Sequence, residues 1–179
     1  MINSEVYIRK PILDDVDFML QLENDRELWK VSQTTVPFTE EEIVDFIVNN
    51  KHDLFEELQL RLMIVLKKDN RPIGTLDLFQ FDKKKNNAGV GISISKAERG
   101  KGFASQAMSL FLEYAFSDLN LDELYCTIFT DNYASIALFE SQGFRKQRLM
   151  KNYIRYQGNE YDVYFYSLKR IDFYEQRNK

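Results

Sequence analysis

Apolar positions recur along the chain with two different periods, and each change of period marks a new element. Alternation, or a short apolar run bounded by turn residues, predicts strands at 6–10, 60–66, 73–81, 89–94, 124–130, 144–150 and 160–168. Spacing near the helical period predicts four helices. The first, 14–24, starts at an aspartate cap and sets Val16, Met19 and Leu20 on its inner side. The second opens at Thr39, where Glu42 completes a capping box, and buries Ile43, Phe46 and Ile47. The third covers 103–116 with Phe103, Ala107, Leu110, Phe111 and Tyr114 in register, and the fourth runs over 133–142 between an Asn132 cap and Gly143. Residues 53–57 add one turn. K-K-D-N-R-P and D-K-K-K-N-N read as hairpin turns, 29–38 and 153–159 as irregular connections, and 171–179 as a fraying polar tail. The resulting order, βααβββαβαββ, is a mixed α/β (α+β) sheet flanked by helices.

Composition narrows this picture. A chain of 179 residues, 44% apolar and 29% charged, is expected to form one soluble globular domain over 1–179. Its net charge of −4 argues against a general nucleic-acid binder, which needs an excess of Lys and Arg to neutralise phosphates. The opening MINSEVYIRK has no apolar core like that of a signal peptide, and no run approaches the ~18 apolar residues of a membrane span. One cysteine excludes an internal disulfide and fits a cytoplasmic location. Cys126 shares a strand face with Leu124 and Ile128, so it reads as core rather than nucleophile. His52 is the only histidine, which leaves neither a metal site nor a Ser-His-Asp triad to build.

The candidate chemistry lies in the glycine-punctuated turn R-G-K-G-F-A, Arg99 to Ala104, between a strand and a helix. The first turn of a helix has N–H groups without intrahelical partners and the positive end of the dipole, so it can hold an anion. Gly100 and Gly102 keep Cβ atoms from blocking the approach, while Arg99 and Lys101 add charge at the rim. The sequence has no G-x-x-x-x-G-K-[ST], and its glycines are wrongly spaced for G-x-G-x-x-G.

What these residues do resemble is the R-x-x-G-x-A pyrophosphate loop of the GNAT superfamily of acyl-CoA-dependent N-acetyltransferases. A second motif, DNYASIALFESQGF at 131–144, is similar to the segment after that family's fifth strand, with Asn132, Ser135, Phe139, Glu140, Gly143 and Phe144 in the matching places. The resemblance covers roughly residues 5–168. It implies a largely antiparallel sheet splayed between its fourth and fifth strands, with acetyl-CoA as co-substrate and no metal. Ile92 and Ile94 would offer backbone groups to the pantetheine, and the amides of Arg99, Gly100, Lys101, Gly102, Phe103, Ala104 and Ser105 would hold the pyrophosphate. Asn132, Ser135 and Phe139 would lie near the thiol end. The partners it implies are acetyl-CoA and an amine acceptor, with no nucleic acid and no membrane, and a homodimer is compatible with it.

The same resemblance leaves the catalytic groups open. Many relatives place a tyrosine at the position of Phe139, which cannot donate a proton. The RimJ/RimL type instead offers the serine matching Ser135, which reads equally as a hydroxyl satisfying helix backbone. Polyamine acetyltransferases, which the chain also resembles over 153–168, carry a strand glutamate where this chain has Gly89, so Asp77 and Glu98 remain as bases acting through water. An α-amine with pKa near 8 is roughly a tenth free base at pH 7, against about 0.04% for an alkylamine near 10.4. A site without a strong base therefore favours an α-amine of a protein N-terminus or small molecule. The alternatives are a polyamine acceptor and a non-catalytic acyl-CoA-binding module. Glu40, Glu41, Glu42, Asp45, Asp53, Glu56 and Glu57 suggest a negative acceptor side, unless they are a solvated face.

Overall fold

A computed structural model describes residues 4–177. Seven strands form one sheet in the order β1-β2-β3-β4-β5-β7-β6. They are β1 (Val6–Arg9), β2 (Leu60–Leu66), β3 (Pro72–Asp82), β4 (Asn87–Ile94), β5 (Glu123–Phe129), β6 (Arg145–Tyr156) and β7 (Asn159–Lys169). All neighbours are antiparallel except β4 and β5, which are parallel. These two touch through only three residue pairs, Asn87 with Glu123, Ala88 with Leu124 and Gly89 with Tyr125. Beyond Gly89 the sheet opens into a splay.

The predicted helices are present as α1 (Val16–Glu23), α3 (Glu40–Asn49), α5 (Phe103–Glu113) and α6 (Tyr133–Ser141). Strand alternation sends two different apolar sets to the two faces. Leu62, Ile64, Leu76, Leu78 and Val90 pack with Ala107, Met108 and Phe111 of α5. Met63 and Val65 meet Met19 of α1 and Ile43 and Ile47 of α3 on the other face. Cys126 is buried in the α5-side core, where burial pushes its thiol up and keeps it unreactive.

Two further helices join the predicted order, and the single turn expected at 53–57 is helical. α2 (Arg26–Ser32) covers the unassigned residues after the first helix and the start of the stretch read as irregular, 29–38; it is nucleated by Asp25, whose side chain accepts the Glu27 N–H at 3.0 Å. Residues 53–57 form α4 (Leu54–Glu57), capped by Asp53. The polar tail is helical as far as it is described, α7 (Arg170–Arg177), because Phe173 is buried 5.1 Å from the Phe116 ring, while 178–179 lie outside the described residues. The first helix also starts differently from its expected aspartate cap. The Asp15 carboxylate accepts from the Ile12 N–H and is clamped by Arg9, over a single 3-10 turn at Leu13–Asp15. The connection expected at 153–159 is a tight turn at Gln157 and Gly158, both in the left-handed region, so β6 and β7 form one long hairpin.

Candidate active site

The glycine loop faces open space. Gly100 and Gly102 have φ of +76° and +81°, and a Cβ built on either would meet no atom within 4 Å. Glycine is therefore used here for conformation and for an unobstructed approach from outside. The first helical bond of α5 comes from the Gln106 N–H to the Gly102 carbonyl, which leaves the amides of Phe103, Ala104 and Ser105 without helical partners.

The basic side chains of the loop already have partners. Lys101 Nζ and Arg71 each donate to the buried Glu98 at 2.9 Å, and these hydrogen bonds, Lys101 first, hold that carboxylate below the usual range. Glu98 thereby braces the loop, and it is not among the residues that line the cleft described below. Arg99 Nε donates to the Ile94 carbonyl at 2.9 Å, and its guanidinium reaches Glu27 of α2 at 3.3 Å. The Ile94 side chain faces the α5 core, whereas Ile92 is half-buried and borders the cleft.

The second motif is held against the first by polar bridges. Gln142 donates to Ser105 Oγ and accepts from Ser109 Oγ, both at 2.9 Å, which joins the end of α6 to α5. Glu140 accepts from the buried Tyr166 hydroxyl at 2.8 Å, pinning α6 to β7. Asn132 is the N-cap, its side chain taking the Ser135 N–H at 3.2 Å. Gly143 ends the helix at φ +92°, with Phe144 N–H on the Phe139 carbonyl and Gly143 N–H on that of Glu140, a Schellman motif. Phe139 is buried with its ring edge-on to Phe144 at 5.0 Å, so it serves this closure and the core. Ser135 is half-buried in the first turn of α6, and its hydroxyl makes no hydrogen bond to another described residue.

On the α1–α3 face of the sheet lies an open cleft of about 740 Å³, bordered by α1, α2, α3 and by Gly91, Ile92 and Thr127 at the splay. One cluster on its wall was not readable as a site from the sequence. Arg61 on β2 donates to Glu23 on α1 at 2.5 Å and to both oxygens of Asp77 on β3 at 2.7 and 3.3 Å. Desolvation by burial opposes the Arg61 charge, but Asp77 and Glu23 outweigh it and hold its pKa above the ordinary value. Asp77 sits directly across from Gly91 in the β3–β4 register, so its carboxylate is beside the strand segment that leaves β5. With Glu42, three carboxylates and one guanidinium line the cleft, which is net negative.

The long acidic run contributes less than expected. Glu42 caps the Thr39 N–H, Asp53 caps α4, Glu56 pairs with Lys51, and Glu40, Glu41 and Asp45 lie on the outer surface of α3. His52 is buried edge-on to Phe46 with Nε2 at 3.0 Å from the Ile47 carbonyl. Among the described residues no group of three or more His, Cys, Asp or Glu is placed to hold a metal ion, and no helix is long and apolar enough to cross a membrane.

A splay between parallel strands, a glycine-entered helix N-terminus at its mouth and an open acidic cleft beside it form one architecture, and sequence comparison decides its lineage. Residues 5–145 match the Acetyltransferase (GNAT) domain. The chain belongs to the GNAT family of N-acetyltransferases. It is 32% identical to the uncharacterized N-acetyltransferase p20 of Bacillus licheniformis over 93% of both chains. A spermidine N(1)-acetyltransferase of Vibrio cholerae is 26% identical over 79% of this chain and 80% of its own. In structure, the GNAT fold superposes on the Vibrio cholerae spermidine N-acetyltransferase in complex with CoA and spermine with TM-score 0.85 and 23% identity, over 96% of this chain and 99% of that one.

The glycine loop yields a direct test of this GNAT site. Gly102→Val is expected to weaken CoA at least about tenfold, or ~1.4 kcal/mol, by placing a branched side chain in the approach path. Gly158→Val, equally left-handed at φ +78° but in the β6–β7 turn, controls for backbone strain and should leave CoA affinity unchanged. Calorimetric titration of both variants distinguishes an effect local to this loop from a general loss of the fold.

Proposed function

We propose that this chain transfers the acetyl group of acetyl-CoA to a primary amine that carries further positive charge, by direct attack within a ternary complex. The observation that carries this reading is the Glu23–Arg61–Asp77 row beside Gly91, which makes the wall nearest the splay net negative. A polyamine fits that wall, and the relatives that act on spermidine support the same substrate class. In this reading the pyrophosphate meets the free amides of Phe103, Ala104 and Ser105. The pantetheine lies along β4 near Ile92, and a backbone N–H there stabilises the developing oxyanion. Ser135 donates the proton that the leaving thiolate requires.

One observation favours an α-amine instead. Both oxygens of Asp77 accept from Arg61 and are turned to it rather than free for an acceptor proton, which suits the acceptor with the larger free-base fraction. The two readings separate in one assay. CoA release is measured with spermidine and with an N-terminal peptide at ~0.1 M and ~1 M salt, where the Debye length falls from about 10 Å to 3 Å. The polyamine reading expects a larger kcat/KM for spermidine and a KM for it that rises with salt. A larger kcat/KM for the peptide, with little salt response, selects the α-amine. Release with neither amine would remove both.

A further inference from the structure

The open end of the sheet is spanned by one short helix. Past Gly89 no strand pairing joins the β4 half of the sheet to the β5 half. α2 lies across that gap and is tethered at both ends. At its start Asp25 and Glu27 reach Arg99 at 3.7 and 3.3 Å, and Glu27 also accepts from Lys96 at 2.5 Å, all on the segment that follows β4. Towards its end Lys30 lies 4.5 Å from the ring centre of Phe129 and 4.1 Å from that of Tyr161, with its ammonium 3.5 Å from the Asp131 carboxylate. Between the tethers, Leu28, Val31 and Ser32 line the acceptor cleft.

Building on the acetyl-CoA site proposed above, we propose that Glu27 is a positioning residue that couples the two substrate sites, holding α2 across the splay through Arg99 and Lys96 until the CoA phosphates take those cations. The helix that walls the acceptor cleft is thus anchored to Arg99 of the phosphate loop and to Lys96 three residues before it. A carboxylate and a pyrophosphate are rivals for the same guanidinium and ammonium groups. Lys96 above all, then Arg99, holds the Glu27 carboxyl below the usual range, so it competes as an anion throughout the neutral range. Its side chain is half exposed, and surface pairs of this kind are weak enough to be exchanged for a more highly charged ligand.

The sign of one binding change separates this role from a structural one. If Glu27 only supported the loop, Glu27→Gln would weaken CoA. If Glu27 is the rival anion, the variant should bind CoA about threefold more tightly or better, because each lost pair no longer opposes the ligand. Calorimetric titration with CoA, alongside hydrogen exchange of the 26–32 amides, reads both halves of the proposal. In the wild type, CoA should speed exchange in 26–32, and in Glu27→Gln those amides should exchange fast with or without CoA. Equal or weaker CoA binding by the variant, or 26–32 exchange in the wild type that ignores CoA, overturns the coupling. Absence of CoA binding by the wild type would instead overturn the underlying acetyl-CoA site, and the coupling with it.

Discussion

Replacing Ser135 with alanine is expected to lower kcat by ~10²-fold while leaving CoA affinity within about twofold, the signature of one general acid removed. The argument rests on a contrast within the chain. Ser32 and Ser141 each return their hydroxyl to a backbone carbonyl three or four residues back, at 3.1 and 2.7 Å, as helical serines commonly do. Ser135 does not, although it sits in a helix. Its N–H is taken by Asn132, and its hydroxyl remains available at the positive end of α6, where a developing thiolate is also favoured by the helix dipole. Phe139 offers no competing donor, since phenylalanine has no acidic proton, and its ring is buried against Phe144. Alanine is the best helix former, so the variant should keep its fold. A loss below about threefold in kcat would hand the proton to water and return Ser135 to the surface of α6.

The parts of this molecule that were legible from sequence are those written in consecutive residues. R-G-K-G-F-A and the segment from Asp131 to Phe144 each contain their own turn chemistry, cap and apolar period, so the loop, α6 and its Schellman ending follow from local rules. The capping box at Thr39 and Glu42 is local in the same way. α2 was missed because its cap, Asp25, directly follows the Asn24 that closes α1, and no helix-length apolar stripe sets it apart. The available signal was Asp25 as a cap with Trp29 four residues on. Trp29 is buried and its indole N–H donates to the Glu23 carbonyl at 2.9 Å, which folds α2 back over α1.

The β6 hairpin failed for a different reason. Two irregularities, at Lys146–Arg148 and Met150–Ile154, break the alternation that would have carried the strand on to Tyr156. The acidic run misled because charge density along a sequence does not say which way a helix faces. Most of those carboxylates cap, pair locally or point outward. Of the carboxylates that line the cleft, Glu42 comes from that run, whereas Glu23 and Asp77 are isolated in sequence and become a cluster only because Arg61 stands 38 residues from one and 16 from the other. Pairings across that separation are set by sheet register and by the docking of α1 on β2, neither of which a local period encodes.

That cluster carries the second large expectation. Arg61→Met should destabilise the fold by about 2–4 kcal/mol at neutral pH, because removing one member of a largely buried ion pair strands the others. Only 21% of the Arg61 side chain is exposed, with 15% for Glu23 and 27% for Asp77. Left on either side of an apolar side chain, the two carboxylates repel each other while ionised and are incompletely hydrated. In the folded variant at least one of them therefore holds a proton more readily than it would in the unfolded chain. The folded state then binds more protons than the unfolded one, so the stability deficit should shrink as pH falls from about 7 towards 5 and grow as it rises. Chemical denaturation across that range measures the trend. Adding Asp77→Asn to Arg61→Met should recover part of the loss at neutral pH and flatten its pH dependence, since one of the opposed charges is gone. A pH-independent deficit, or a double variant no more stable than the single, would mean that Arg61 acts through the packing of its aliphatic stem against α1 and not through its two carboxylates.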